Sequence, residues 1–294
     1  MTAAGVLNIN KPKGLTSHDV VARVRKITGQ RKAGHTGTLD PMATGVLVLC
    51  LGHATRLIEY AVPGRKRYQT TLYFGVSTAT HDAEGEITAR SSAGHLTDDF
   101  LAGLLPSFTG QIMQRPPAFS AIKQGGQPLY KAARAGKPVV VDPRPVTIYD
   151  LTWLRWEPPR LTLDITCSAG TYIRSLARDL GEAAGVGAHL VELCRTANGP
   201  WQLAEAVPLE LLTPDNWRPY LQPPDSAIAH LPRATLTADQ AEAVRCGRQI
   251  VLPETAANPE MPLRVYSSAG QFLAIVTLAD AGQKLWQPKK VFQT

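Results

Sequence analysis

Gly34-His35-Thr36-Gly37-Thr38-Leu39-Asp40-Pro41-Met42-Ala43-Thr44-Gly45 runs directly into Gly45-Val46-Leu47-Val48-Leu49-Cys50-Leu51. The second stretch is uniformly apolar and too short for a buried helix, so it predicts a central strand. The first has three glycines among small hydroxyl residues, the signature of a backbone that bends tightly or approaches a ligand closely. Proline disfavours helix at the residue before it, so Asp40 is expected in extended chain on a loop ahead of that strand. Two readings of Asp40 follow: an Asx-turn or cap, or an acid presented for chemistry. No Gly-Lys-Ser/Thr closes the stretch and His-Glu-x-x-His is absent, so neither a Walker loop nor a zinc protease is indicated.

Upstream, Val6–Ile9 reads as a strand ended by the turn Lys11-Pro12-Lys13-Gly14. Thr16 or Ser17 then caps a helix that buries Val20, Val21, Val24 and Ile27 and stops at Gly29. From Lys11 to Lys32 seven basic residues face one acid, Asp19. That is either a solvated helix face or an edge turned toward phosphate. Downstream, Ala54–Ala61 has a helical pattern, and Tyr68–Gly75 alternates as a strand rich in Thr, Tyr and Phe. Thr97-Asp98-Asp99 opens a helix ending near Pro106. Gln114–Pro145 carries six basic residues against Asp142 and is broken by Gly and Pro, which predicts a long basic excursion with a short helix near Leu129–Ala135. Val146–Leu154 and Leu161–Cys167 form a predicted strand pair, and Ile173–Ala184 a helix. Beyond the Pro- and Trp-rich stretch 200–232, a helix near Ala238–Cys246 and alternating segments at Leu263–Tyr266 and Phe272–Leu278 predict a small β-barrel.

The 294 residues suggest two domains, and a formal charge of +7 with a pI near 9.3 favours an anionic partner, nucleic acid first. Cys50, Cys167, Cys194 and Cys246 are too scattered for a zinc site or a disulfide framework. No signal-peptide pattern opens the chain and no stretch approaches the roughly twenty apolar residues of a membrane span. A cytoplasmic protein is the expectation.

Two further clusters could carry chemistry. Cys167-Ser168-Ala169-Gly170-Thr171-Tyr172-Ile173-Arg174 turns at Gly170 into a helix whose first turn holds Arg174. It reads as a capped helix with a surface Arg or as part of an anion site. Lys66-Arg67-Tyr68 opens a strand, with Tyr68 a core or edge residue or a platform for a base.

Taken together, these clusters resemble the TruB family of pseudouridine synthases. Gly34–Gly45 is similar to its Gly-His-x-Gly-x-Leu-Asp-Pro-x-Ala-x-Gly signature. Lys11-Pro12-x-Gly14, Lys66-x-Tyr68, Thr80-x-Asp82-x-x-Gly85, Arg115–Tyr130 and Gly170-Thr171-Tyr172-Ile173-Arg174 follow in family order. The resemblance implies an α+β pseudouridine synthase fold, with a mixed, mostly antiparallel central sheet flanked by helices and a C-terminal PUA-like β-barrel. The expected division is 1–228 catalytic, with a basic insertion at about 114–145 that closes on RNA, and 229–294 RNA-binding.

It implies isomerisation of the T-loop uridine (position 55 of transfer RNA) to pseudouridine, without metal or organic cofactor. The implied catalytic residues are Asp40 as carboxylate, Arg174 as its partner, Tyr172 near the sugar and Tyr68 on the base. Those implied at the RNA are Lys11, His35 in the space left by the flipped nucleotide, Arg56 and Asp82, with Lys123, Lys131 and Arg134 from the insertion. Where the family commonly has Tyr, this chain has Phe119. The expected partner is the T-arm stem-loop of transfer RNA, met by a monomer without guide RNA, obligate protein partner or membrane. The alternatives are an RNA-guided synthase of the dyskerin type and a non-catalytic RNA-binding module.

Overall fold

The computed structural model describes residues 3–61, 64–120, 123–124, 127–129, 132, 141–252 and 261–292. Its first unit is a ten-stranded sheet in the order β14-β1-β3-β12-β4-β11-β10-β7, with β2 on β3 and β13 on β12. The strands are β1 (Gly5–Lys11), β2 (Ala33–His35), β3 (Thr44–Leu51), β4 (Lys66–Phe74), β5 (Val76–Thr78), β6 (Ile87–Arg90), β7 (Gly110–Gln114), β8 (Lys123–Gln124), β9 (Gln127–Pro128), β10 (Arg144–Glu157), β11 (Arg160–Cys167), β12 (Ala188–Asn198), β13 (Trp201–Gln202) and β14 (Val207–Pro208). Only β1–β14 and β3–β12 pair in parallel, so the sheet is mixed and mostly antiparallel, as expected. β5 and β6 form a separate hairpin, and β8 and β9 another within the basic insertion.

β3 is apolar throughout because both its faces are covered. Leu47, Leu49 and Leu51 join the main core, while Val46, Val48 and Cys50 pack with Val6 and Trp201 on the other side. Helix α1 (Ser17–Thr28) begins at Thr16, whose hydroxyl and Asp19 form a reciprocal capping box, and ends at Gly29 with φ 67°. It buries Val20, Val21 and Val24 against the sheet. Helix α2 (Asp98–Leu104) is capped by Thr97 and pins Leu101 to the same core. Helix α3 (Ile173–Ala183) buries Ile173, Leu176, Ala177 and Leu180. The segment at 54–61 is a 3-10 helix (Gly52–Leu57) followed by turns.

The central strand β12 is not announced by the sequence pattern. Glu192 and Arg195 interrupt its apolar positions, yet it joins β3 to β4 in the middle of the sheet. The helix expected near Leu129–Ala135 falls largely outside the described residues.

The second unit is a five-stranded curled sheet, β15 (Arg233–Thr235), β17 (Leu263–Tyr266), β18 (Phe272–Asp280), β19 (Leu285–Val291) and β16 (Ile250–Val251) in spatial order, with helix α4 (Ala238–Arg245). It has its own core around Val265, Val276 and Trp286, consistent with a PUA-like domain. The two units share an apolar seam of Leu57, Ile228, Leu231, Ile275 and Phe292. Among the described residues, no helix is long and apolar enough to cross a membrane.

Candidate active site

The loop between β2 and β3 is fastened on every side except at Asp40. Leu39, Met42 and Ala43 are buried pins. Ser17 at the start of α1 both donates to the Leu39 carbonyl and accepts from its amide, at 3.0 and 2.8 Å. The Pro41 carbonyl accepts from the Gly14 amide at 2.8 Å and from Lys11 Nζ at 3.1 Å. Asp40 sits between these anchors with its side chain 30% exposed.

Arg174, in the first turn of α3, meets that carboxylate face-on. Its Nε donates to Oδ2 and its Nη2 to Oδ1, both at 2.9 Å. This bidentate fork fixes the carboxylate in a plane. The guanidinium is itself held by the Thr80 carbonyl at 3.1 Å, the Phe119 carbonyl at 2.9 Å and Asp82 Oδ2 at 3.5 Å. Phe119 thus takes part through its main chain, which needs no hydroxyl. Arg174 is 4% exposed, so the carboxylate between it and solvent is the open end of the array.

Two tyrosines border Asp40 closely enough for its charge to act on their phenols. Tyr68, on β4, is 6% exposed, and burial raises its phenol above the ordinary value. Tyr172 precedes α3; its amide donates to Gln114 Oε1 at 2.8 Å, and burial raises its phenol too. The structure therefore brings Asp40, Tyr68, Tyr172 and Arg174 together from β3's loop, β4 and α3.

Other expected residues are placed differently. Lys11 is 0% exposed, and its ammonium donates to the carbonyls of Pro12, Leu15 and Pro41. It holds the loop from behind and offers no surface to RNA. Asp82 is 4% exposed and spends its oxygens on Thr80, the Glu84 amide and Arg174. It is an acid behind the arginine. His35 is partly buried, and burial lowers its imidazole below the usual range. Its Nδ1 has no hydrogen-bond partner among the described residues. Arg56 is exposed at the junction of the two units, with Nη1 on the Val291 carbonyl at 2.7 Å and its guanidinium 5.2 Å from the Phe292 ring centre. Lys123 lies on β8, while Lys131 and Arg134 fall outside the described residues.

Two cations lie beneath the loop: Arg195, which sequence reasoning missed, and Lys66, which it named in a motif without a role. Arg195 on β12 is 0% exposed and reaches the carbonyls of Gly37, Thr38 and Val46. Lys66 on β4 has its Nζ 3.5 Å from where a Gly37 Cβ would sit, and burial, aided by Arg195, lowers it to about 8. The available signal for Arg195 was a lone basic residue inside Leu193-Cys194-Arg195-Thr196-Ala197.

Residues 25–173 match the model of the TruB family pseudouridylate synthase (N terminal domain), and residues 174–229 that of the tRNA pseudouridylate synthase B C-terminal domain. A protein named tRNA pseudouridine synthase B from Dehalococcoides mccartyi is 44% identical over 292 residues, covering 98% of this chain and 96% of the relative. One of the same name from Pseudomonas aeruginosa is 42% identical, with 95% and 93% covered. Among solved structures, an H/ACA RNP bound to a substrate RNA containing 2'-deoxyuridine gives a TM-score of 0.76 at 27% identity, covering 99% of this chain and 85% of that one. A Cbf5-Nop10-Gar1 complex gives 0.77 at 28% identity, with 98% and 85% covered.

Proposed function

The chain belongs to the TruB family of pseudouridylate synthases, and from that premise we propose that it converts the T-loop uridine of transfer RNA to pseudouridine through Asp40. The activity is that of an isomerase: the uracil leaves C1′ through N1, turns, and rejoins through C5. The bidentate Arg174–Asp40 pair, on a loop fastened everywhere but at the carboxylate, is the observation that carries the residue assignment.

In this reading Asp40, oriented by the fork with Arg174, meets the nucleotide as the nucleophile. The uridine is flipped from its loop, at a cost of a few kcal/mol. Stacking on Tyr68, about 1–3 kcal/mol for one base, offsets much of that cost. Tyr172 packs by the reacting sugar, and His35 fills the space the nucleotide vacates. Arg56 stands where phosphate can reach its remaining N–H groups, and the insertion at 114–145, with Lys123, Lys131 and Arg134, grips the stem-loop.

The proposed division is a catalytic domain over 1–228 and an RNA-binding domain over 229–294, supported by the separate apolar core of the second unit. We also propose that the chain acts as a cytoplasmic monomer on bare transfer RNA, without guide RNA or protein partner. Relatives at 42–44% identity bear the name of a tRNA enzyme, whereas the ribonucleoprotein components are 27–28% identical. Purified protein should release tritium from C5-labelled uridine in an unmodified T-arm stem-loop, one equivalent per strand. Absence of release, or release only when a second RNA is added, would refute this reading.

A further inference from the structure

Arg195 occupies an unusual position for a cation. It lies on β12 opposite Gly45 of β3 on one side and Tyr68 of β4 on the other. Its Nε donates to the Val46 carbonyl at 2.7 Å, Nη1 to Thr38 at 3.3 Å and Nη2 to Gly37 at 3.1 Å. Among the described residues no carboxylate forms an ion pair with it. A charge buried without a counter-ion is costly, and the interior compensates only through well-aimed dipoles.

Those dipoles belong to the catalytic array. Gly37 and Thr38 lie immediately ahead of Leu39 and Asp40, and Val46 follows the same loop. One planar group thus ties the loop's entry to its exit. The approach is fixed from below as well. Gly45 has φ 96°, and a Cβ there would lie 2.3 Å from the Arg195 carbonyl oxygen, so β3 and β12 meet more closely than any side chain permits.

We infer that Arg195 is a positioning residue for the isomerisation, acting through the Gly37, Thr38 and Val46 carbonyls of the Asp40 loop. This rests on the assignment of Asp40 above. Displacing the loop by a fraction of an ångström misaligns the carboxylate with the reacting carbon, while the RNA-binding surfaces lie elsewhere. The loss should therefore appear in the rate of the bound complex and not in affinity.

The test compares Arg195→Gln and Arg195→Lys with the parent in single-turnover tritium release at saturating enzyme, normalised to titrated tRNA-binding sites. Arg195→Gln should be slower by about ten- to a hundredfold, with tRNA affinity within about threefold, and Arg195→Lys should recover part of the rate. A rate per binding site within about twofold of the parent would overturn the inference. So would failure of both variants to fold, because Arg195 would then hold the sheet and not the site. Asp40→Asn is run alongside: if it stays active, the site assignment falls and this inference with it. An inactive Asp40→Asn beside a fully active Arg195→Gln sinks the inference alone.

Discussion

Asp82 Oδ2 lies 3.5 Å from Arg174 Nη1, on the edge of the guanidinium that Asp40 does not use. Arg174 is therefore aimed from behind by one acid while it aims the other. In Asp82→Asn the buried counter-charge is gone but the volume stays, and Arg174 keeps the Thr80 and Phe119 carbonyls. Hydrogen bonds to charged groups are worth about 1.5–3 kcal/mol, so turnover should fall by about ten- to a hundredfold. Affinity for transfer RNA should stay within a few fold, because Asp82 is buried. Single-turnover rates beside filter binding measure both; a loss confined to affinity would place Asp82 at the RNA after all.

Asp40→Asn preserves shape and removes the charge that Arg174 neutralises. Isomerisation should drop by at least about three orders of magnitude, with tRNA affinity within a few fold. Substantial residual turnover would show that another group does the chemistry.

Gly45→Ala would place a methyl in a left-handed backbone conformation and against the Arg195 carbonyl oxygen. Strain and overpacking together should cost about 3–5 kcal/mol. Urea unfolding of the variant should show a correspondingly lower midpoint; an unchanged midpoint would mean that the β3–β12 contact is loose.

Lys66 is pushed from 10.5 to about 8 by burial, with Arg195 adding to the effect. Between pH 8 and 10 the folded chain gives up this proton while the unfolded chain keeps it. The unfolded state then binds more protons, so stability contributed by this residue rises with pH across that window. Below it, the folded state carries the full penalty of a buried charge. Lys66→Met should thus be more stable than the parent at pH 7, by on the order of 2 kcal/mol, and the gap should close toward pH 10. Lys11, lowered to about 8 as well, titrates in both chains and cancels. Thermal melts at pH 7, 8.5 and 10 decide the matter; a pH-independent difference would contradict it.

What the residues revealed in advance depended on whether their physics was local. The Asp40 loop was legible because glycine, proline and an apolar strand each restrict the backbone where they stand. Thr16, Thr97 and Gly29 marked helix ends for the same reason. β12 was not, because Glu192 and Arg195 look like solvent-facing charges until the neighbouring strands supply their partners. Lys11 was expected at the RNA from its motif. Its burial depends on three carbonyls, at Pro12, Leu15 and Pro41, that converge only after two turns have formed. Asp82 was placed by motif alone, and its alignment of Arg174 needed coordinates.

Asp40 and Arg174 are separated by 134 positions along the chain. During synthesis the carboxylate leaves the ribosome long before its guanidinium, and β12, which completes the floor beneath it, emerges later still. Contacts of such sequence separation form late. A nascent or truncated product ending before β12 therefore has every residue of the Asp40 loop and no competent pocket. The pocket is complete only once β12 has taken its place between β3 and β4.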